Sequence, residues 1–595
     1  MNFNPLNESK CTLLRAIGAH RQLYRSLTRY RMVKRSSAEV GCQEKRQRPE
    51  LEQYMSTNTT YYNHPINEKG ANAFNSNKRE RPFELLQDRI VQQKPSKVAK
   101  TVIHWFRNDL RISDNTAFTK AIEQLQEIRI REGSDCNIMA IFTPNEHDWI
   151  AHLESNWRLN FMYRALTSLQ SELLELSIPL YVLEFKPDKP IFLRSKKFAA
   201  WLKKKCLELS GGEPVQVTAN AEYLVDELQR DINVYHVTDE YFDLNIYHDT
   251  CVVEPYPLRT QQGSQYTVFA PWYKKWCTYL MERKPKDDLV HISSVEKKKY
   301  NRDTPHQKIG YKLPIGFALN VNCPLSKILD ASEDAGMSRL QEFLGNSIKK
   351  YDQKDLLPDE RSSHLSAFLS VGLISARTVV NSAFSLLGGN LVGKSPKDMS
   401  PAEEFIREVA WRDFYKHAFC YWPYLSMDIP FNLGSVGIKW LNDKSHFEKW
   451  CYGKTGVPIV DAIMRKLLFE GYINNRARMI TASFLSKNLL IDWRWGEKWF
   501  RKHLIDCDLA SNIGGWGFCS STGIDAQPYF RIFNMERQSK TYDPSGNFIR
   551  KWVPELKNVE NVHATQQHVE SYPDPIVDSK QSRQRALNAY KDGLY

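Results

Sequence analysis

The change of hydrophobic period along the chain sets the strongest limit on its fold. Between residues 101 and 218, four short apolar runs read as buried strands: 101–106 (TVIHWF), 138–143 (IMAIFT), 180–185 (LYVLEF) and 215–218. Helical stretches such as 157–176 separate them. Strands that alternate with helices cannot pair as hairpins, so a doubly wound α/β domain built on a parallel sheet is expected. From about Leu340 to about Leu556 the pattern turns helical and stays so, which calls for a large all-α domain. The expected division is 98–235 for the α/β domain, 236–335 for a weakly periodic connection rich in Pro, Tyr and Lys, and 336–595 for the helical domain. No Gly-x-Gly-x-x-Gly follows the first strand, which excludes NAD bound in the usual way.

Residues 1–97 read as a basic, disordered leader. Its first 38 residues hold eight Lys/Arg and one acid, Glu8, with Leu13, Leu14, Ile17, Leu23 and Leu27 interleaved among Arg15, Arg21, Arg25 and Arg29. Arg-rich, acid-poor and amphipathic is the signature of a mitochondrial presequence. Lys34-Arg35 and Lys45-Arg46-Gln47-Arg48 follow, spaced like a bipartite nuclear signal. Met32 lies between the two signals, so initiation at Met1 or Met32 is expected to send the protein to mitochondrion or nucleus. Residues 50–97 are polar and read as a linker, with order beginning near Thr101. Of the net charge of +13, +10 resides in residues 1–100, so the folded body is almost neutral and any affinity for nucleic acid needs a local basic groove. No apolar run of about eighteen residues predicts a membrane span. Eleven scattered cysteines without a CxxC pair argue against disulfides or a zinc site and fit small buried hydrophobes in a reducing compartment.

The helical half carries the chemistry. Ser400-Pro401-Ala402-Glu403 starts a helix with a serine cap, a first-turn proline and a capping box. The helix places Glu408, Trp411, Arg412 and Tyr415 on one face, either as a polar site or as an exposed Glu408–Arg412 pair beside a core tryptophan. In 474–479 (NNRARM), Asn475, Arg478 and Met479 share a face while Arg476 points elsewhere. Asp506, Asp508 and Asn512 precede Gly514-Gly515, as in a loop built around a ligand, and Trp493, Trp495, Trp499 and Trp516 cluster nearby. Pattern alone stops at a helical ligand-binding domain.

At these residues the chain resembles the photolyase/cryptochrome family, and within it the class I cyclobutane-dimer photolyases of the fungal branch. The likeness rests on WFRNDLR at 105–111, EVAWRDFY at 408–415, NNRARM at 474–479, LLIDWR at 489–494 and PYFRIFN at 528–534. It spans nearly everything from residue 100 onward. It implies light-dependent repair of pyrimidine dimers in DNA, by a monomer that uses FAD as the reduced anion.

The resemblance also implies roles. Tyr351 and Ser362, Ser363, Leu365 and Ser366 match the FAD phosphate loop, with Ser362 in place of a threonine. Arg412, Arg478, Asp506 and Asp508 match flavin contacts, Arg478 and Asp506 as a buried ion pair. Asn512 matches the residue facing flavin N5, where an amide adds no negative charge. Glu408, Asn475 and Met479 would border the dimer, Trp411 would wall it, and Arg476 and Arg531 would face phosphates. Trp516, Trp493 and Trp440 match a chain that rereduces the flavin. Phe518 stands where relatives place a second stacking tryptophan, and Cys507 replaces a glycine, a source of strain if the site needs positive φ. The expected antenna is 5,10-methenyltetrahydrofolate, contacted by His152 and Glu227, although Asp226 and Met427 depart from the asparagine and lysine of some relatives. No resident metal is expected. The rival readings are a (6-4) photolyase, typically with histidine at the position of Asn475, a light-signalling cryptochrome, and a flavin-free nucleic-acid-binding relative.

Overall fold

Strand β1 (Thr101–Phe106) is buried along its whole length, as befits the central strand of a sheet covered on both faces. It pairs in parallel with β2 (Asn137–Phe142) and β4 (Val215–Asn220), and β3 (Leu180–Val182) adds to β2. The order is β3-β2-β1-β4-β5, so the winding reverses between β1 and β4. The edge strand β5 (Phe242–Tyr247) falls in the stretch read as a connection. Its Phe242, Leu244 and Ile246 enter the core, with Asp243 and Asn245 between them.

The computed structural model describes residues 51–55, 66–94, 96, 98–133, 136–187, 189, 193–285, 288–301, 329–351, 362–395, 397–564 and 568–594. Residues 54–595 form one unit, and of the other, 1–53, only 51–53 are described. The two targeting signals therefore lie outside the described residues. Among those residues no helix is long and apolar enough to cross a membrane, and every cysteine is buried and unbonded.

The linker expected over 50–97 is corrected by two helices, Glu68–Asn75 and Pro82–Gln92. Asn67 caps the first, Pro82 opens the second, and Phe74, Phe83 and Leu86 are buried. Sparse apolar residues at helical spacing are masked by polar neighbours, so composition alone misleads here. The segment acts as a strap. Arg81 Nε donates to the Tyr421 carbonyl at 2.8 Å, and Tyr424 Oη donates to Asn75 Oδ1 at 3.1 Å. On the other side, Gln93 exchanges hydrogen bonds of 2.9 Å with the backbone of Ile246 in β5.

The helical part begins in earnest at Pro401–Tyr421. Ser400 Oγ accepts from Glu403 N at 3.2 Å, while the Glu403 carboxylate takes the Lys394 N–H at 2.9 Å, so it does not simply close the expected capping box. Helices Asn475–Ser483, Trp493–His503 and Leu509–Ser520 follow, and Ser579–Leu594 extends beyond the expected helical limit near Leu556. A buried ionic cluster joins the two halves. Arg377 Nη2 lies 2.7 Å from Asp249 and 3.0 Å from Asp114, and Arg111 of the WFRNDLR motif also pairs with Asp249. Burial opposes ionisation of Asp249, but the two guanidinium groups hold its carboxyl well below the usual range.

Candidate active site

Helix Pro401–Tyr421 presents Glu408, Trp411 and Arg412 half-buried on one side, with Tyr415 buried. Trp411 is stacked on Phe269 at 3.6 Å and 6°, so one face of the expected apolar wall is already backed by a ring. Arg412 donates to the Thr250 carbonyl at 2.6 Å. Tyr351 packs edge-on against Phe343 and Phe405, and burial, with the Glu408 charge adding, raises its phenol well above its ordinary value. Ser362 Oγ meets Tyr472 Oη at 2.9 Å, and Ser363 Oγ accepts weakly from Leu365 N, so this serine loop is tied beside Tyr472 just ahead of the helix that begins at Ser366.

The other wall comes from three helices. Asn474 caps Asn475–Ser483, and Arg478 on that helix donates through Nη2 to both oxygens of Asp506 at 2.9 and 2.7 Å. Asp508 caps Leu509–Ser520 and accepts from Lys416 Nζ at 2.6 Å. Burial opposes its charge, but Lys416 and Arg412 keep its carboxyl well below the usual range. Cys507, between the two aspartates, is not among the residues with positive φ, so the condition under which it would strain the loop is not met.

Asn512 is the most constrained side chain of the group. Its Nδ2 donates to the Glu497 carbonyl at 3.1 Å and to Glu497 Oε1 at 2.8 Å. Both N–H bonds are thereby used, which leaves Oδ1 as an acceptor. Glu497 is in turn gripped by Arg501 at 2.8–3.0 Å. Burial pushes the Glu497 carboxyl up while Arg501 pulls against it. Sequence reasoning missed Glu497, because an i, i+4 Glu–Arg pair ordinarily marks a solvated face, whereas here both partners are fully buried. It missed Phe269 too, since no local pattern announces a ring stacking across the fold.

Asn475 and Arg531 are exposed, and Met479, Arg476 and Phe518 are half-buried. Arg476 lies over the Tyr542 ring at 4.6 Å. Trp493 and Trp516 are buried and Trp440 is half-buried. Ring contacts join Trp516 to Phe500 and Trp450, and Trp440 to Tyr590; among the described residues none joins the three to one another.

A cavity of about 120 Å³ opens at the carboxyl ends of β1, β2 and β4, where the strand order reverses. Such switch points are the usual ligand sites of wound sheets. His152, Asp226 and Glu227 line it, joined by Arg501, Cys507 and Leu509 from the helical part. His152 Nε2 lies 3.3 Å from Asp226 Oδ2. Burial works against its charge, but Asp226 raises its pKa to about 9. Burial also lifts Glu227 to about 7.

Comparisons with known proteins agree with this geometry. Residues 102–289 match the family model for DNA photolyase, and residues 405–592 match that for the FAD binding domain of DNA photolyase. A mitochondrial deoxyribodipyrimidine photo-lyase of Saccharomyces cerevisiae is 49% identical over 92% of this chain and 96% of its own length. The deoxyribodipyrimidine photo-lyase of Neurospora crassa is 34% identical over 90% and 89%. Among solved structures, a class III photolyase from Agrobacterium tumefaciens superposes with a TM-score of 0.68 at 28% identity, covering 83% of this chain and 97% of that one. An archaeal photolyase from Sulfolobus tokodaii, described with two FAD molecules, gives 0.64 at 28%, covering 83% and 100%. A wound parallel sheet, a helical half that matches a FAD-binding domain and a relative sharing half its residues over almost the whole length lead to one conclusion: the chain belongs to the DNA photolyase family.

Proposed function

We propose that this protein is a deoxyribodipyrimidine photo-lyase that repairs cyclobutane pyrimidine dimers in DNA under light. The observation that carries the reading is the Asn512 amide, held by Glu497 so that only its oxygen is left to accept. A reduced flavin carries a proton on N5, and an oriented acceptor without charge suits that N–H; a carboxylate would oppose the anionic ring. The donor set fits the rest of FAD: the Ser362, Ser363 and Ser366 hydroxyls with Leu365 and Tyr351 for the pyrophosphate end, and Arg412, Arg478, Asp506 and Asp508 around the ring.

Bound as its reduced anion, FAD supplies the photoexcited electron that opens the cyclobutane ring and regains it afterwards. The chain positions and shields. Trp411, backed by Phe269, offers a flat apolar face to an everted dimer, and Phe518 offers a smaller one. Glu408 hydrogen-bonds the damaged bases, with Asn475 and Met479 at their border. Asn475 in place of histidine favours the cyclobutane lesion over the (6-4) lesion. Arg476 and Arg531 take phosphates. Eversion costs a few kcal/mol, and less for a lesion that already pairs poorly. Trp440, Trp493 and Trp516 relay electrons inward from the surface.

The switch-point cavity is the proposed antenna site, with 5,10-methenyltetrahydrofolate as its pigment and His152 and Glu227 as contacts. Its volume of about 120 Å³ is small beside ordinary ligand pockets of roughly 300–1,000 Å³, so it suits the edge of a planar heterocycle rather than the whole pigment. The α/β region, which takes in β5, is the proposed antenna region, and the helical part the proposed catalytic region. The protein works as a monomer in mitochondrion and nucleus, with start-site choice between Met1 and Met32 dividing it.

The test is illumination of the reduced protein with dimer-containing DNA, scoring restored thymines. Restoration of (6-4) lesions alone would favour the rival photolyase, and repair of neither lesion a signalling role.

A further inference from the structure

We propose that Arg501 is a positioning residue shared by two sites, through which a pigment in the switch-point cavity tightens the hold on Asn512 and so favours the reduced flavin. The inference rests on the antenna and flavin readings above. Arg501 lines the cavity, yet its guanidinium is committed to Glu497. Helix Trp493–His503 carries the two residues at positions i and i+4 of one face, with Arg501 2% and Glu497 0% exposed. Arg501 Nε donates to Glu497 Oε1 at 3.0 Å, and Nη2 donates to both carboxylate oxygens at 2.9 and 2.8 Å. Glu497 Oε1 in turn accepts from Asn512 Nδ2 at 2.8 Å. Three side chains in direct contact thus lead from the cavity wall to the amide assigned to flavin N5.

Coupling between sites needs an element with two arrangements. Asp428 supplies the second. Its Oδ1 stands 3.6 Å from Arg501 Nη2, and both of its carboxylate oxygens are buried without a hydrogen-bond partner among the described residues. Lys498 Nζ lies 4.0 Å from Asp428 Oδ2. Arg501 therefore sits between a near carboxylate and a farther one, in a group of two acids and two bases that are at most 2% exposed. Burial favours the protonated form of Glu497, and Arg501 the ionised form.

The occupant of the cavity biases this balance. A polar cavity holds water until a ligand displaces it. A flat heterocycle lowers the local dielectric, which strengthens the pair at 2.8 Å more than the one at 3.6 Å, because attraction varies inversely with both dielectric and distance. Arg501 then stays on Glu497, Glu497 stays ionised, and Asn512 keeps its N–H groups on Glu497 and its oxygen turned to accept. Only a flavin with a proton on N5 gains from that acceptor. The charges are felt at the cavity wall: burial pushes the Cys507 thiol up, and the charges of Glu154, Arg501 and Glu497 also act on it. Leu509, in the same wall, stands three positions before Asn512 on one helix.

Linkage makes the effect reciprocal, so reduction of the flavin must tighten pigment binding by the same factor. The experiment titrates 5,10-methenyltetrahydrofolate, anaerobically and in the dark, into full-length flavoprotein freed of pigment, once oxidised and once fully reduced. The flavin midpoint potential is measured with and without saturating pigment. Affinity at least about fivefold higher in the reduced protein is expected. For a two-electron couple that factor equals a rise of about 20 mV in the potential. Arg501→Met alone strands a buried carboxylate, so the decisive variant is Glu497→Gln/Arg501→Met, which removes both charges at similar volume and should bind pigment equally in the two states. Arg501→Lys, which keeps the charge but loses the fork, should narrow the difference to about twofold. Circular dichroism and flavin content identify the variants that fold. Equal affinity in the two wild-type states, a difference of opposite sign, or a full difference in a folded variant overturns the proposal and leaves the antenna reading standing. Failure of this pigment to bind in either state overturns both.

Discussion

Replacing Asn512 by aspartate puts a second carboxylate against Glu497. The amide now donates to Glu497 Oε1 at 2.8 Å, and the substitution turns that donor into an acceptor. Two unit charges about 3 Å apart repel by about 5 kcal/mol at an effective dielectric near 20. Arg501, bound to both oxygens of Glu497, cancels part of this and leaves about 2–4 kcal/mol. The pair answers by keeping a proton, so a shared carboxyl titrates well above its unfolded value. The folded state then binds more protons than the unfolded one, and stability falls as pH rises through the raised pKa. Urea unfolding should therefore show Asn512→Asp near wild type at pH 5 and about 2–4 kcal/mol weaker at pH 8.5. Asn512→Leu, which loses the donors without adding charge, should be weakened alike at both values. The reduced flavin state should also become harder to reach in the aspartate variant. A loss independent of pH, or none beyond about 0.5 kcal/mol, would refute the argument that Glu497 holds this amide in a charged, water-poor setting.

Arg478→Ala strands the Asp506 carboxylate, whose side chain is only 3% exposed; because Arg478 is itself 26% exposed, a loss of about 2–3 kcal/mol is expected, read by thermal unfolding and by flavin retained on purification. Trp516→Phe should slow photoreduction of oxidised protein at least about tenfold and leave repair by chemically reduced protein unchanged; equal loss of both would place Trp516 in packing rather than in the relay. Phe83→Ala removes a ring 1% exposed between the strap and Tyr223, and should cost about 3–5 kcal/mol in a urea titration.

Much of the fold is legible because it rests on local period. The TVIHWF run had to be a buried strand, and Ser400-Pro401 had to open a helix. β5 was also readable, since Phe242, Leu244 and Ile246 alternate with polar residues, but a flanking segment rich in Pro and Lys outweighed that signal. The site was readable where the residues carry the family's motifs, as with Arg478 and Asp506. It was not readable where function depends on partners distant in sequence. Nothing near Trp411 announces Phe269, and nothing near Asn512 distinguishes Glu497 from a surface acid. Cys507 shows the converse: replacing a glycine would bring strain only at positive φ, and the backbone there has none.

The helices at Glu68–Asn75 and Pro82–Gln92 also bound any trimming of the amino terminus. Met1 and Met32 both lie upstream of Asn67, so either start preserves the strap. Trimming that keeps these contacts has to stop before Tyr54, whose buried ring packs edge-on against Trp499 at 5.1 Å, because a cut further in would also sever Phe74 and then Phe83 from the body. The two proposed forms, started at Met1 or Met32, would thus differ at their beginnings and still share one folded body.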